Sequence, residues 1–467
     1  MIRLCPVEIW LFEEFMSSSE IYTPENLAQA LQQGQTTSVA LVDQALARIE
    51  DEQGQGPVAF IRVFADSARV QAAQSDERRA AGSLKSDIDG LPISVKDLFD
   101  IEGCTTRAGS IVLSDQAPAT KDALVVERLR QAGAIVMGTT NMTEFAYSGL
   151  GLNPHYGTPL SPFDREHGRI AGGSSSGAAV SVSDHMAVGA IGTDTGGSVR
   201  IPAAFCGLVG YKPTASRIDM SGSIPLAQNL DAIGPLANSV TGCAWLASVM
   251  AGEPIETPQA LSLNGLSFGV PNQLVLDGMD ETVSATFSAA CAALQEAGAT
   301  VISLDVPQLL ELAELNAAGG FTAAQAWAWH AELLNTRQEE YDPRVASRIR
   351  RGESLEEGYV EQLQKQRLDW ISRVSQQVSG VDALVMPTVP IVAPLLGPLQ
   401  ADDDLYAKTN LLTLRNPSVV NFLDGCAVSL PCQAAEQAPV GFMLACLGGD
   451  DQKLLGMAMA CEAVFKG

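Results

Sequence analysis

The sequence predicts an α/β fold with a covered sheet. Three observations lead there. Short apolar runs bounded by turn residues alternate with longer amphipathic stretches, the rhythm of strands joined through helices. Some of these runs, residues 91–96 among them, are apolar almost throughout, as strands buried in a core are. The chain is 46% hydrophobic over 467 residues, which suits a sizeable core and leaves room for one large domain or two to three ordinary ones.

The elements follow in order. Thr23-Pro24-Glu25 ahead of Leu27, Leu31 and Gly34 reads as a short capped helix. A second helix covers residues 38–50, with Val39, Val42, Ala45, Leu46 and Ile49 on one face. Residues 58–63 read as a strand and 66–81 as a polar, Ala-rich helix. The strand at 91–96 carries Lys96 at its carboxyl end; a helix at 122–132 closes on Gly133, and a strand follows at 134–138. A small-residue helix is expected at 177–183, with strands at 186–191 and 207–210. The Pro/Thr/Glu/Ser-rich stretch 252–262 reads as a linker or a surface excursion. Beyond it come a strand at 267–270, a helix at 281–297, a strand at 300–306 and a long helical stretch over 320–377, expected to cover the site. Strands at 381–386, 427–430 and 440–446, a helix at 411–423 interrupted near Pro417, and a closing helix at 452–465 complete the chain.

Composition narrows the function. The formal net charge is −25, which argues against nucleic acid as a direct partner. No window is apolar for long enough to span a membrane. Nine cysteines, an odd number without short paired spacing, fit buried hydrophobes in a reducing cytoplasm. The four histidines are scattered, so no metal site is expected. Residues 1–19 are read as a leader outside a folded unit of 20–467, with Met16 as a second candidate start; Glu8, Glu13 and Glu14 argue against a secretory signal.

The chemistry concentrates between Gly172 and Arg200. Gly172-Gly173-Ser174-Ser175-Ser176-Gly177 precedes a small-residue run, and Gly192-Thr193-Asp194-Thr195-Gly196-Gly197-Ser198-Val199-Arg200 follows it. Paired glycines let backbone N–H groups approach a ligand, because no Cβ intervenes. A flexible loop, a phosphate cradle and a nucleophile turn all use such segments. The apolar flanks oppose a loop. Neither GxxxxGK[ST] nor GxGxxG is present, which opposes a cradle. GxSxG is absent too, and no histidine lies in the segment, so a Ser/His/Asp triad would have to recruit a remote histidine, a need that a serine activated through a lysine such as Lys96 avoids.

These residues resemble the amidase signature family. Phe205-Cys206-Gly207, Gly210-Tyr211-Lys212-Pro213-Thr214 and Asp231-Ala232-Ile233-Gly234-Pro235-Leu236 extend the match downstream. Gly90-Leu91-Pro92-Ile93-Ser94-Val95-Lys96-Asp97 and Gly138-Thr139-Thr140-Asn141-Met142-Thr143-Glu144-Phe145 extend it upstream. The resemblance implies a single large domain with a central mixed sheet covered by helices on both faces. It implies Ser198 as the acyl-forming nucleophile, Ser174 as a middle serine after a cis peptide bond, and Lys96 as the base. The oxyanion hole would be the N–H groups of Thr195, Gly196, Gly197 and Ser198. No metal or cofactor is implied. The substrate would be a small-molecule amide, and a homodimer is a family-level expectation.

Other residues carry lesser expectations. Ser175 is either a hydrogen-bonding support or a turn residue. Asp194 and Arg200 are expected to brace the loop as an ion pair. Ser176 stands where glycine is commoner, and tolerance is expected. Lys212 is given a structural or surface role, and Arg415 a helix-surface role ahead of pairing with a substrate carboxylate. Three functions are carried forward: a stand-alone amidase, the glutaminase component of a glutamyl-tRNA amidotransferase, and a non-catalytic anion-binding or scaffold protein. Substrate choice is expected to lie in the helical stretch 320–377.

Overall fold

The computed structural model describes residues 22–466, so the expected leader lies outside the described residues. Eleven strands form one mixed sheet in the order β1-β3-β2-β4-β6-β5-β10-β11-β9-β7-β8. They are β1 (Phe60–Val63), β2 (Pro92–Lys96), β3 (Ile135–Thr140), β4 (Gly189–Asp194), β5 (Val209–Lys212), β6 (Ala232–Ala237), β7 (Ser267–Pro271), β8 (Thr300–Leu304), β9 (Ala383–Pro387), β10 (Cys426–Pro431) and β11 (Gly441–Cys446). Parallel pairs stand towards both ends: β2 with β3 and β4, and β7 with β8 and β9. Antiparallel β6, β5, β10 and β11 join them into one sheet.

Helices cover both faces, and strand alternation shows which residues face each. In β3, Ile135 and Met137 join the core made with helices Ser38–Glu50, Ser176–Ser183 and Arg200–Cys206, whereas Val136 joins the core made with Val240–Ala251 and Asp451–Lys466. The helix Ser176–Ser183 is buried from Ser176 to Val182, which its Ser, Gly, Ala and Val side chains permit. No helix of the described residues is long and apolar enough to cross a membrane.

The stretch 252–262 is an excursion and not a domain linker, because the sheet continues on both sides of it and Leu261 N donates to Gly456 O at 3.0 Å. The long stretch 320–377 divides into Gly320–Arg337, Pro343–Arg350 and Tyr359–Val378. The helix expected to break near Pro417 runs through it as Asp403–Phe422. Proline removes one intrahelical hydrogen bond; here its ring lies against Gly197, where an added Cβ would come within 2.5 Å of Pro417 Cβ.

Candidate active site

β2 and β4 are parallel neighbours, so their carboxyl ends open at the same edge of the sheet. Lys96 ends β2, and the second glycine turn begins where β4 ends at Asp194. The first glycine turn lies beside them, since Ser175 N donates to Ser198 O at 3.3 Å. Strand pairing thus gathers residues about a hundred positions apart in sequence.

Lys96 is fully buried; its Nζ donates to Ser174 Oγ at 2.7 Å and to Thr193 Oγ1 at 2.8 Å. Burial pulls the ammonium pKa down to about 7, against the opposing charges of Asp194 and Asp231. The peptide bond Gly173–Ser174 is cis. A Cβ on Gly173 would meet Gly151 N at 2.5 Å, so the turn is closed to larger residues. A buried amine of lowered pKa beside a serine hydroxyl can exchange a proton with it.

The second turn is held by one carboxylate. Asp194 accepts from Gly197 N at 2.9 Å and Val199 N at 3.1 Å, and it pairs with Arg200 Nη2 at 2.8 Å. Arg200 also donates to Asn421 Oδ1 at 2.6 Å and Pro417 O at 3.1 Å. Burial alone would raise the Asp194 carboxyl; the adjoining Arg200 guanidinium outweighs that and holds it well below the usual carboxylate range. Asp194 and Arg200 therefore form a fully buried ion pair.

Ser198, 3% exposed, lines a cavity of about 490 Å³ together with Thr195 and Gly196. Gly197 departs from expectation. Its N–H is engaged by Asp194, whereas those of Thr195, Gly196 and Ser198 are not among the donors to that carboxylate. A φ of +117° at Gly197 sets the turn. Thr195 Oγ1 donates to Asp231 Oδ1 at 2.5 Å, and Asp231 also accepts from Leu226 N and Ala227 N at 2.9 and 3.0 Å. No hydrogen bond joins the Ser174 and Ser198 hydroxyls among the described residues.

The remaining expectations resolve locally. Ser175 is tied to Ser198 through its backbone, while its buried Oγ has no hydrogen-bond partner among the described residues. Lys212 is buried and structural, donating to Pro213 O and Gly425 O at 3.0 and 2.6 Å. Arg415, expected on a helix surface, lines the cavity. The helix Asp403–Phe422 lends the wall a stripe of residues at helical spacing, including Asn410, Leu414, Ser418 and Asn421. From 320–377 only Thr322, Arg348 and Arg351 reach the lining, and the helix Tyr359–Val378 contributes nothing. Thr193, Asp231 and Asn421 hold this corner together, a role that sequence reasoning missed. The Thr-x-Thr around Asp194 and the Asp231-Ala232-Ile233-Gly234 motif were the available hints.

A family model described as amidase matches residues 40–455. The chain is 33% identical over 460 residues to a 2-amino-5-chloromuconic acid deaminase of Comamonas testosteroni, covering 96% of this chain and 97% of that one. It is 35% identical over 470 residues to a glutamyl-tRNA(Gln) amidotransferase subunit of Symbiobacterium thermophilum, covering 93% and 94%. A crystal structure of an amidase superposes with a TM-score of 0.85 at 31% identity, covering 94% of this chain and 99% of that one. With this sheet, these two glycine turns and these relatives, the chain belongs to the amidase signature family and is a hydrolase acting on C–N bonds.

Proposed function

We propose that this protein is a stand-alone amidohydrolase that cleaves a linear carboxamide through Lys96, Ser174 and Ser198. The observation that carries the reading is the 2.7 Å contact between Lys96 Nζ and Ser174 Oγ in a buried corner that adjoins Ser198 and the cavity. Neutral Lys96 takes a proton from Ser174, which takes one from Ser198 as its Oγ attacks the amide carbonyl. The N–H groups of Thr195, Gly196 and Ser198 receive the oxyanion. The C–N bond breaks, the relay returns the proton to the departing ammonia or amine, and an acyl ester remains on Ser198. Water, deprotonated by the same relay, then releases the carboxylic acid. The Ser198–Ser174 handover belongs to the reacting complex, because catalytic hydrogen bonds often tighten only there. Ammonia or hydroxamate formation by the purified chain alone tests the reading; wild-type turnover by Ser198→Ala would sink it.

A second reading is the glutaminase component of an amidotransferase, favoured by the 35% identity to such a protein. Glutamine brings an ammonium group as well as a carboxylate, and the cavity lining includes no Asp or Glu to receive it. That supports the stand-alone reading. Strict use of glutamine together with a stable complex with a second protein would favour the amidotransferase. Residence in the cytoplasm and a homodimer complete the proposal; fractionation and sedimentation test them.

A further inference from the structure

The sheet ends in β1 on one side and β8 on the other, and the two edges are finished differently. β1 carries Arg62, and its register with β3 slips between Phe60 and Arg62. A charge and a bulge are devices that keep an edge from pairing with a second chain. β8 has neither. Its sequence, Thr300-Val301-Ile302-Ser303-Leu304, is uncharged and free of proline. Its parallel register with β7 runs unbroken from Thr300 opposite Ser267 to Leu304 opposite Pro271. Thr300, Ile302 and Ser303 are exposed, Ile302 to 38%.

Pairing with β7 uses one alternate set of backbone groups. Thr300 N donates to Leu266 O at 2.8 Å, and Leu304 O accepts from Asn272 N at 2.9 Å. Thr300, Ile302 and Leu304 therefore turn their N–H and C=O groups inward, while Val301 and Ser303 turn theirs outward. Those outward groups fit an added strand. Beside them packs the helix Glu281–Glu296, which carries no charge on any face from Thr282 to Gln295. Its exposed residues in that span are Thr282, Ala285, Ser288, Ala289, Ala292 and Gln295. Two copies of a chain of net charge −25 repel each other, so a contact between them needs a neutral surface, and this end of the sheet supplies one.

The edge is also complementary to itself. A two-fold axis through Ile302 sets Val301 of one copy opposite Ser303 of the other, and each such pair exchanges both of its N–H···O=C bonds. Ile302 then meets its own counterpart in the close, non-hydrogen-bonded position. A stable dimer buries about 1,200–2,000 Å² in total, more than a short strand provides. The helix, about 24 Å long, extends the contact.

We propose that β8 is the seam of a homodimer, pairing antiparallel with β8 of a second copy so that one sheet runs through both molecules, with the helices Glu281–Glu296 packed beside it. This rests on the homodimer in the proposed function and names its interface. Purified full-length protein is sedimented over a range of concentrations, and single-cysteine variants are oxidised mildly and run on non-reducing gels. Wild type should sediment at twice the mass of the chain. Ile302→Lys sets two ammonium groups face to face and should weaken dimerisation by about a hundredfold. Ile302 is exposed, so this variant should keep the fold, which circular dichroism checks. Ser303→Pro removes an outward donor but leaves the ladder with β7, and should weaken dimerisation by about tenfold. Ile302→Cys places two thiols about 5 Å apart at Cβ across the axis and should link the copies reducibly. Thr300→Cys, about 13 Å from its own counterpart, should not. Wild type, with nine cysteines, sets the background. A wild-type monomer at every concentration would remove the homodimer and the seam together. A dimer that survives both Ile302→Lys and Ser303→Pro, that fails to link through Ile302→Cys, or that links as readily through Thr300→Cys would keep the homodimer and overturn the seam.

Discussion

Arg200 and Arg348 belong to opposite sides of one design. Arg200 is fully buried and fully engaged by Asp194, Asn421 and Pro417 O. Arg348 is half-buried and meets a carbonyl and the face of Tyr406, with no ion pair among the described residues. A sealed charge fixes geometry, because displacing either partner strands the other in a low-dielectric interior. An open charge is available to something that arrives. Changes in the sealed region should therefore harm every substrate alike, whereas changes in the cavity wall should harm some substrates more than others.

The largest effect tests the sealed region at the atoms of the proposed relay. Ser198→Ala and Lys96→Ala should each lower kcat/KM by about four orders of magnitude or more, and the double variant by little more than either alone, since a relay acts as a unit. Steady-state kinetics on two unrelated amides checks this; strongly additive losses would break it. Next, Arg200→Ala strands the buried Asp194 carboxylate and should cost about 3–5 kcal/mol of stability, read from chemical unfolding. Unchanged stability would mean the pair is no brace. Thr193→Val removes one of two acceptors of Lys96 Nζ and should lower kcat/KM by about tenfold for neutral and anionic amides alike.

The pH profile sharpens the same point. In the proposed relay Lys96 acts as its neutral amine, and burial brings its pKa to about 7. Below that value kcat/KM should fall about tenfold per pH unit, and above it level off. Thr193→Val removes a partner of the charged form, which lowers the pKa further, so the acid limb should move to lower pH. A limb that stays fixed would indicate that another group controls it. The smallest effect is Ser176→Gly. The Ser176 hydroxyl is buried without a hydrogen-bond partner among the described residues, so activity should stay within about twofold.

The sealed region was more legible in the sequence than the open one, for physical reasons. Lys96 was readable because residues 91–95 are apolar but for Ser94, and a lysine closing such a run stands out. The two serine turns were readable because glycine pairs punctuate them. β6 was missed because Gly234 and Pro235 argue against a central strand, yet Pro235 sits opposite Ile191 of β4. The helix Val240–Ala251 was missed because it is buried nearly all round and so lacks an amphipathic stripe. Thr193 reaches Lys96 only through the pairing of β4 with β2, which local patterning does not encode. Arg348 and Arg415 meet one cavity from helices far apart in sequence, and each alone looks like a solvated charge.

The continuity of the sheet past Gly252 has a consequence for how this enzyme can change. Lys96, Ser174 and Ser198 all precede that point, while most of the cavity lining follows it, Arg348, Arg351 and Arg415 included. The proposed relay and most of the cavity wall are thus written in different halves of the chain. β5, from the first half, pairs with β10 from the second, so neither half could be cut away without baring a strand edge. Inheritance therefore keeps the halves together, yet on the proposed reading substitutions confined to the second would move the enzyme to a new amide without touching the relay.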